Sequence, residues 1–526
     1  MARRPDLVRL GRKRNNIKAS VIRDPHISYL RIGSYFIPKF NLLWKLGNVS
    51  EEDRRLMRDL NLADLGDLVA NKQFSRDVFA YILANPVTTK DEIEQQRLAV
   101  KELAEPERRR ILDSVINSIY RLYTHRSFAL DDCPWPFFLN DSIQFKIYYL
   151  DLLNNTITNF ENLGEDAESR PLQELATYAR DLRASEQIES LPVTLDRARN
   201  TITITTNLDI TGKYIGKISI KRASKVPRVP YRDVLRTLGH KFLATVTRFG
   251  PYKSAVNEAL KRLILDNQRN FANVHSLLPD FEFYRAMIKY DEALGENGFM
   301  PEFSSNGDTE IRDLRHPIFV LRGDDVVPND YYSNGDQRVL LITGANNGGK
   351  TFYSKSVGLA QLLTQRGGRI PAEYASVELA DKVYTHFVDQ DDPINQEGRY
   401  KFELRRMAEI LDRSSRRSLL IMDEPCSGTD PAQGEVQSSY FLESLAESGA
   451  RGIFNTHYYG LTSTSERCPA VRNIHPDTRL DNGEIHYTYR MIDGPTNSSY
   501  ALELARSMKL GRDELLEKAR QIKTRN

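Results

Sequence analysis

Cysteine is nearly absent from this 526-residue chain: only Cys133, Cys426 and Cys468 occur, and no CxxC pair among them. That excludes a disulfide framework and argues against a zinc site, leaving three ordinary reduced thiols. Long apolar runs are missing as well. None reaches the roughly 20 residues of a membrane span, and the first residues lack the apolar core of a secretion signal. Charge of one sign is also lacking, since 74 Lys and Arg against 71 Asp and Glu leave a net +3, too little to identify a nucleic-acid partner from the total alone. With 40% hydrophobic and 28% charged residues, the expectation is a globular cytoplasmic protein without a membrane partner, long enough for about three domains. No internal repeat or low-complexity segment stands out.

What is present centres on Val339 to Thr351, VLLITGANNGGKT. The apolar run Val339–Ile342 reads as a buried strand, Gly344, Ala345, Asn346, Asn347, Gly348 and Gly349 as a glycine-rich turn, and the residues from Lys350 onward as a helix. The glycines let backbone N–H groups converge on phosphate oxygens, and the helix N-terminus adds positive potential. In such a loop Lys350 reaches the β- and γ-phosphates of ATP and the Thr351 hydroxyl sits on Mg²⁺. The competing reading is a tight glycine turn with no ligand.

A second buried strand, Ser418 to Met422, ends in Asp423 and Glu424. An acid at such a tip holds Mg²⁺ through water, and the next polarises the water that attacks the γ-phosphate, which makes Asp423 the metal residue and Glu424 the catalytic base. A third run, Gly452 to His457, ends in a histidine able to bond the γ-phosphate or that water. The alternative for His457 is a satisfied strand-end histidine. Between the first two strands, Gly398 to Met407 enters a helix expected to bury Leu404, Met407, Ala408 and Leu411.

Ahead of the loop the chain is mostly helical in pattern. Residues 1–23 carry eight Lys or Arg against one Asp, which reads either as a phosphate-gripping tail or as a solvated terminus. Helical spacing holds from about Phe40 to Leu191, with a capping box at Thr89 and Glu92 and a proline-broken aromatic turn at Cys133–Phe138. Thr201–Thr206 and Tyr214–Ile220 alternate as strands, followed by a basic edge from Lys213 to Arg228 that reads as a phosphate contact or a solvated face. Helix resumes at Tyr231, a Gly- and Asn-rich boundary falls at 295–307, and an α/β pattern follows.

With GANNGGKT, MDEPCSGTDP and FNTHYYGL in that order, the chain resembles the MutS family, whose ATPase is of the ABC class. RHPIF at Arg315–Phe319, VVPND at Val326–Asp330 and SSYALELA at Ser498–Ala505 agree. The resemblance implies a multidomain fold: a basic segment over 1–38, a mainly helical core and lever domain over 39–306 with a small β-containing clamp insertion near 195–230, and an α/β P-loop ATPase domain over 307–526. It implies ATP and Mg²⁺ as cofactors, a homodimer with two composite sites, and duplex, mismatched or branched DNA as partner. Gly344–Thr351 become the phosphate loop, Asp423 and Glu424 the metal and water residues, and His457 the switch histidine. Val326 and Val327 match the apolar segment that packs on adenine.

Departures sharpen the expectation. Mismatch-repair members begin with a reader domain that wedges a Phe-x-Glu phenylalanine into DNA; here the helical core starts almost at once, and Phe441–Glu443 lies after the Asp-Glu strand. The loop SGTDPAQG is similar to a branch linked to recombination control and ribosome rescue, whose members usually end in a nuclease-like domain, whereas the sequence here runs about twenty residues past SSYALELA. Tyr400, Lys401 and Phe402 replace the family's Ser-Thr-Phe. Three functions therefore compete: an ATP-driven DNA clamp in mismatch repair or recombination control, a ribosome- or RNA-associated remodelling ATPase, and a dimeric scaffold gated by nucleotide.

Overall fold

The structure, a computed structural model, describes residues 29–32, 35–38, 49–130, 139–189, 191–192, 195, 204–205, 219–220, 257–345, 347–387, 398–481, 484–496 and 509–524. These form two compact units: the first takes the described residues of 29–38 and 98–284, the second those of 49–97 and 285–524. The basic segment 1–23, the basic edge 213–218 and 221–228, Cys133–Phe138, Asn346 and Ser498–Ala505 lie outside the described residues.

The first unit is built mainly from helices, joined by two antiparallel strand pairs, β1 (Tyr29–Ile32) with β2 (Tyr35–Pro38) and β3 (Ile204–Thr205) with β4 (Ser219–Ile220). The second pair falls where alternation in the sequence called for strands. Helices Pro106–Thr124, Leu139–Gly164 and Arg170–Arg183 bury apolar residues three or four apart, such as Leu112, Val115, Ile116 and Ile119 on the first and Leu172, Leu175, Ala176 and Ala179 on the third. That spacing puts them on one stripe of each helix. Phe160 stacks on Phe281 with ring centroids 5.6 Å apart. Polar groups here serve the scaffold: the buried Glu102 carboxylate accepts from the N–H groups of Glu168 (2.6 Å) and Ser169 (3.2 Å), just ahead of the third helix.

The second unit holds two sheets. Strands β5 (Glu302–Phe303), β6 (Thr309–Leu314), β7 (Asn329–Ser333) and β9 (Tyr374–Val377) make a mixed four-stranded sheet in the order β5-β9-β6-β7. The other sheet contains β8 (Val339–Ile342), β10 (Val383–Phe387), β11 (Leu419–Asp423), β12 (Arg451–Asn455), β13 (Val471–Asp481) and β14 (Glu484–Asp493), ordered β10-β11-β12-β8-β13-β14. Its first five strands run parallel, and β14 returns antiparallel to β13. Every residue of β8 and β12 is buried, as befits a parallel sheet covered on both faces.

The expected domain boundary near 306 does not coincide with the division into units. Residues 49–97, with helices Glu51–Asp59, Leu62–Val69 and Gln73–Leu83, belong to the α/β unit. Lys382 Nζ donates to Asp53 (2.6 Å), Arg406 pairs with Glu52, and the Gln365 side chain donates to the carbonyls of Val87 (2.6 Å) and Ala380 (2.7 Å). Helical periodicity marks a segment as helix but carries no information about which surface it covers.

Candidate nucleotide-binding site

Strand register sets the site. Asp423 at the end of β11 lies opposite Asn455 at the end of β12, which lies opposite Ile342 at the end of β8. Three neighbouring parallel strands thus finish level, and the glycine-rich turn leaves from β8 at one end of that row, beside β12. Open parallel sheets collect their ligands outside such carboxyl ends.

The turn takes the shape its glycines permit. Gly344 (φ 132°) and Gly349 (φ 93°) are left-handed, and Gly349 caps the helix Lys350–Thr364. A Cβ on Gly348 would stand 2.6 Å from Pro476 Cγ. Lys350 is buried, and its Nζ donates to the carbonyls of Gly344 (2.8 Å) and Ala345 (3.1 Å). Burial lowers its pKa, while Glu424 and Asp423 pull in the opposite direction.

Thr351 Oγ1 donates to Asp423 (2.9 Å), and Asn455 Nδ2 donates to the same carboxylate (2.7 Å). Ser354 Oγ, one helical turn beyond Lys350, donates to Asn455 Oδ1 (3.0 Å) and fixes that amide. Burial raises the Asp423 pKa, opposed by those two hydrogen bonds. Next to it Glu424 has a left-handed backbone (φ 52°), donates its N–H to the Asn455 carbonyl (3.0 Å) and bonds His457 Nε2 through its carboxylate. That bond holds the Glu424 carboxyl below the usual range. Adjacent carboxylates are therefore pushed in opposite directions, the pattern that separates roles at a reaction centre.

Most residues expected at the site come together there: Gly344, Ala345, Gly348, Gly349, Lys350, Thr351, Asp423, Glu424 and His457. Asn347 also takes a left-handed backbone in the turn (φ 65°), without being a glycine. His457 was expected at a strand end, but β12 stops at Asn455 and the histidine stands two residues beyond it. Val326 is buried and Val327 half-buried in the loop ahead of β7. That loop is tied to β14 by Asn329, which accepts from the Met491 N–H (2.7 Å) and donates to the Tyr489 carbonyl (3.0 Å). Tyr489 in turn lies over the glycine turn, its Cδ1 3.4 Å from where a Cβ of Gly349 would stand.

Ser354, Asn455, Asn329 and Tyr489 escaped notice in the sequence. Asn455 sits inside the FNTH run two residues before the histidine, and Ser354 is i+4 from Lys350, so spacing alone held a faint signal for both. On the helix Arg399–Arg413 the expected buried face is corrected: Ala408 is exposed, Leu404 and Leu411 are partly buried, and the buried residues are Glu403, Arg406, Met407 and Ile410. Glu403 pairs with Arg399 and Arg406 with Glu52. Paired charges can be buried, which an apolar count misses.

Fold and site together define an α/β protein whose polar groups gather at the carboxyl edge of a parallel sheet. Residues 340–525 match the family model described as MutS domain V, which supports a place for the chain in the MutS family. It is 30% identical over 278 residues to the DNA mismatch repair protein MutS of Nitratidesulfovibrio vulgaris, covering 52% of this chain and 30% of that protein. The MutS of Chlorobium phaeovibrioides is 34% identical over 230 residues, 42% of this chain and 26% of its own length. That of Lactobacillus delbrueckii subsp. bulgaricus is 30% identical over 235 residues, 44% and 28%. The chain thus spans less than a third of each of these relatives.

Proposed function

We propose that this chain hydrolyses ATP and uses the cycle to drive a homodimeric clamp on duplex, mismatched or branched DNA. One observation carries the hydrolytic half: Lys350, Thr351, Asp423, Glu424 and His457, far apart in sequence, surround the level ends of β8, β11 and β12. The DNA half is supported by relatives named as DNA mismatch repair proteins.

In this reading the N–H groups of Gly344–Gly349 receive the phosphates and Lys350 exchanges two loop carbonyls for β- and γ-phosphate oxygens. Val326 and Val327 flank the adenine. Thr351 and Asp423 suit Mg²⁺ because a hydroxyl and a carboxylate are hard oxygen donors, already within 2.9 Å of each other. An Mg²⁺ ion held there would take these one or two protein ligands and complete its shell with phosphate and water. Bound there, Mg²⁺ supplies neutralisation of the phosphate charge. Glu424, kept ionised by His457, orients and deprotonates the attacking water; Asn455 holds the Asp423 carboxylate. Among the described residues no helix is long and apolar enough to cross a membrane.

The test is the ATPase rate of the full chain on homoduplex, mismatched and branched DNA and on structured RNA, at two salt concentrations. Stimulation by DNA that fades with salt is the expected result, since phosphate contacts release counterions. Stimulation by RNA alone, or by nothing, overturns the clamp.

A further inference from the structure

The turn after the catalytic strand is held at two ends. On one side, the Glu424 N–H reaches the Asn455 carbonyl (3.0 Å), the Tyr458 hydroxyl donates to the Cys426 carbonyl (3.1 Å), and Ser438 Oγ donates to that of Pro425 (3.1 Å). Between them lie two left-handed residues, Glu424 (φ 52°) and Cys426 (φ 62°), a conformation that side chains other than glycine seldom adopt unless the surroundings impose it.

On the other side the restraint is Glu403, 3% exposed, in the first turns of the helix Arg399–Arg413. Its Oε2 accepts from the Gly428 N–H (3.3 Å) and its Oε1 from Arg399 Nε (3.0 Å), while Arg399 Nη2 donates to Ser427 Oγ (2.9 Å). The backbone at Gly428 is pressed so close that a Cβ would stand 2.9 Å from Arg399 Cγ and 3.1 Å from Tyr400 N. A carboxylate this deeply buried is costly unless something needs it ionised or bonded; here it closes a bridge from a helix start to the turn that carries Glu424.

We propose that Glu403 is a positioning residue for Glu424: by joining the Gly428 N–H to Arg399 it pins the turn 424–428 to the helix, so the hydrolytic rate depends on a side chain that does not touch the nucleotide. The inference rests on the ATPase reading above and deepens it. Loosening the Gly428 end leaves this side of the left-handed turn tied to the helix only through Arg399 and Ser427, an arginine that has itself lost its Glu403 partner, and lets the Glu424 carboxylate drift from its water. Misplacement of about 1 Å costs on the order of 100-fold in rate.

The experiment compares kcat and KM for ATP, with the melting temperature, in the full-length wild type and in Glu403→Ala, Glu403→Gln and Gly428→Ala. Glu403→Ala should lower kcat by about 10- to 100-fold with KM within about twofold of wild type. Glu403→Gln, whose amide oxygen can still accept from the Gly428 N–H, should recover most of the rate. Gly428→Ala, which pushes the turn off the helix with Glu403 intact, should repeat the loss and keeps the test open if Glu403→Ala does not fold. Wild-type kcat in both Glu403→Ala and Gly428→Ala overturns the proposal, as does a parallel loss of kcat, KM and melting temperature that Gln does not rescue. A wild-type chain without turnover overturns the ATPase reading itself, and this inference with it.

Discussion

The six-stranded and four-stranded sheets lie in one compact unit, yet their strand ends do different things. In the first, β8, β11 and β12 run the same way and finish in register, so the glycine turn, Asp423 and Asn455 emerge side by side. In the second, antiparallel neighbours such as β6 and β7 end at opposite edges, and polar side chains are dispersed. Parallel direction concentrates chemistry; antiparallel direction spreads it.

Charge is used differently as well. At the parallel edge the carboxylates of Asp423 and Glu424 are aimed at a site. Toward the four-stranded sheet the charges are cross-braces: the fully buried Arg451 donates to Thr309 Oγ1 (2.9 Å), Gln361 Oε1 (3.1 Å) and the Glu378 carbonyl (3.0 Å), and Arg338 pairs with Glu378 (2.8 Å). The same residue types are catalytic candidates in one place and fastenings in the other.

If the contrast holds, changes at the parallel edge alter turnover, and changes at the braces alter stability. The largest effect is expected for Glu424→Ala, which should retain ATP in equilibrium binding while kcat falls by about 10²–10⁴-fold; Lys350→Ala, by contrast, should lose binding itself. Normal hydrolysis by Glu424→Ala would remove that residue from the role of base. Arg451→Ala should behave in the opposite way, lowering unfolding free energy by about 3–5 kcal/mol in denaturant titration because it leaves Glu378 without this buried partner. Its folded fraction should turn over ATP at the wild-type rate, and a selective loss of kcat would break the comparison.

The smallest effect sharpens the parallel edge. Hydrogen bonding to His457 holds the Glu424 carboxyl below the usual carboxylate range, so the base stays ionised to lower pH in the wild type. Without the histidine its pKa rises, and the acid limb of the kcat/KM profile of His457→Ala should move to higher pH. A limb that does not move would show that His457 leaves Glu424 unaffected.

Much of the site was legible because its signals are local. The run Val339–Ile342 followed by glycines, the strand that ends in Asp423 and Glu424, and the helix starting at Lys350 each follow from neighbours within about ten residues, the range over which periodicity and turn chemistry act. The helix start after Thr89 was readable for the same reason, since the helix begins at Lys90. Ala408 was misread on local evidence, because Glu403 and Arg406 occupy the buried face through partners that apolar spacing does not score.

The sequence by itself determined the order of elements, the glycine turn and the identity of the paired acids, since each depends on backbone freedom or side-chain type at adjacent positions. Only the tertiary structure decided that β11, β12 and β8 finish level, that Ser354 and Asn455 brace Asp423, that Glu403 reaches Gly428, and that residues 49–97 join the α/β unit. Those outcomes depend on strand register and on pairs such as Lys382 with Asp53 and Arg406 with Glu52, more than 300 residues apart. Contacts at that separation leave no periodic trace in the chain.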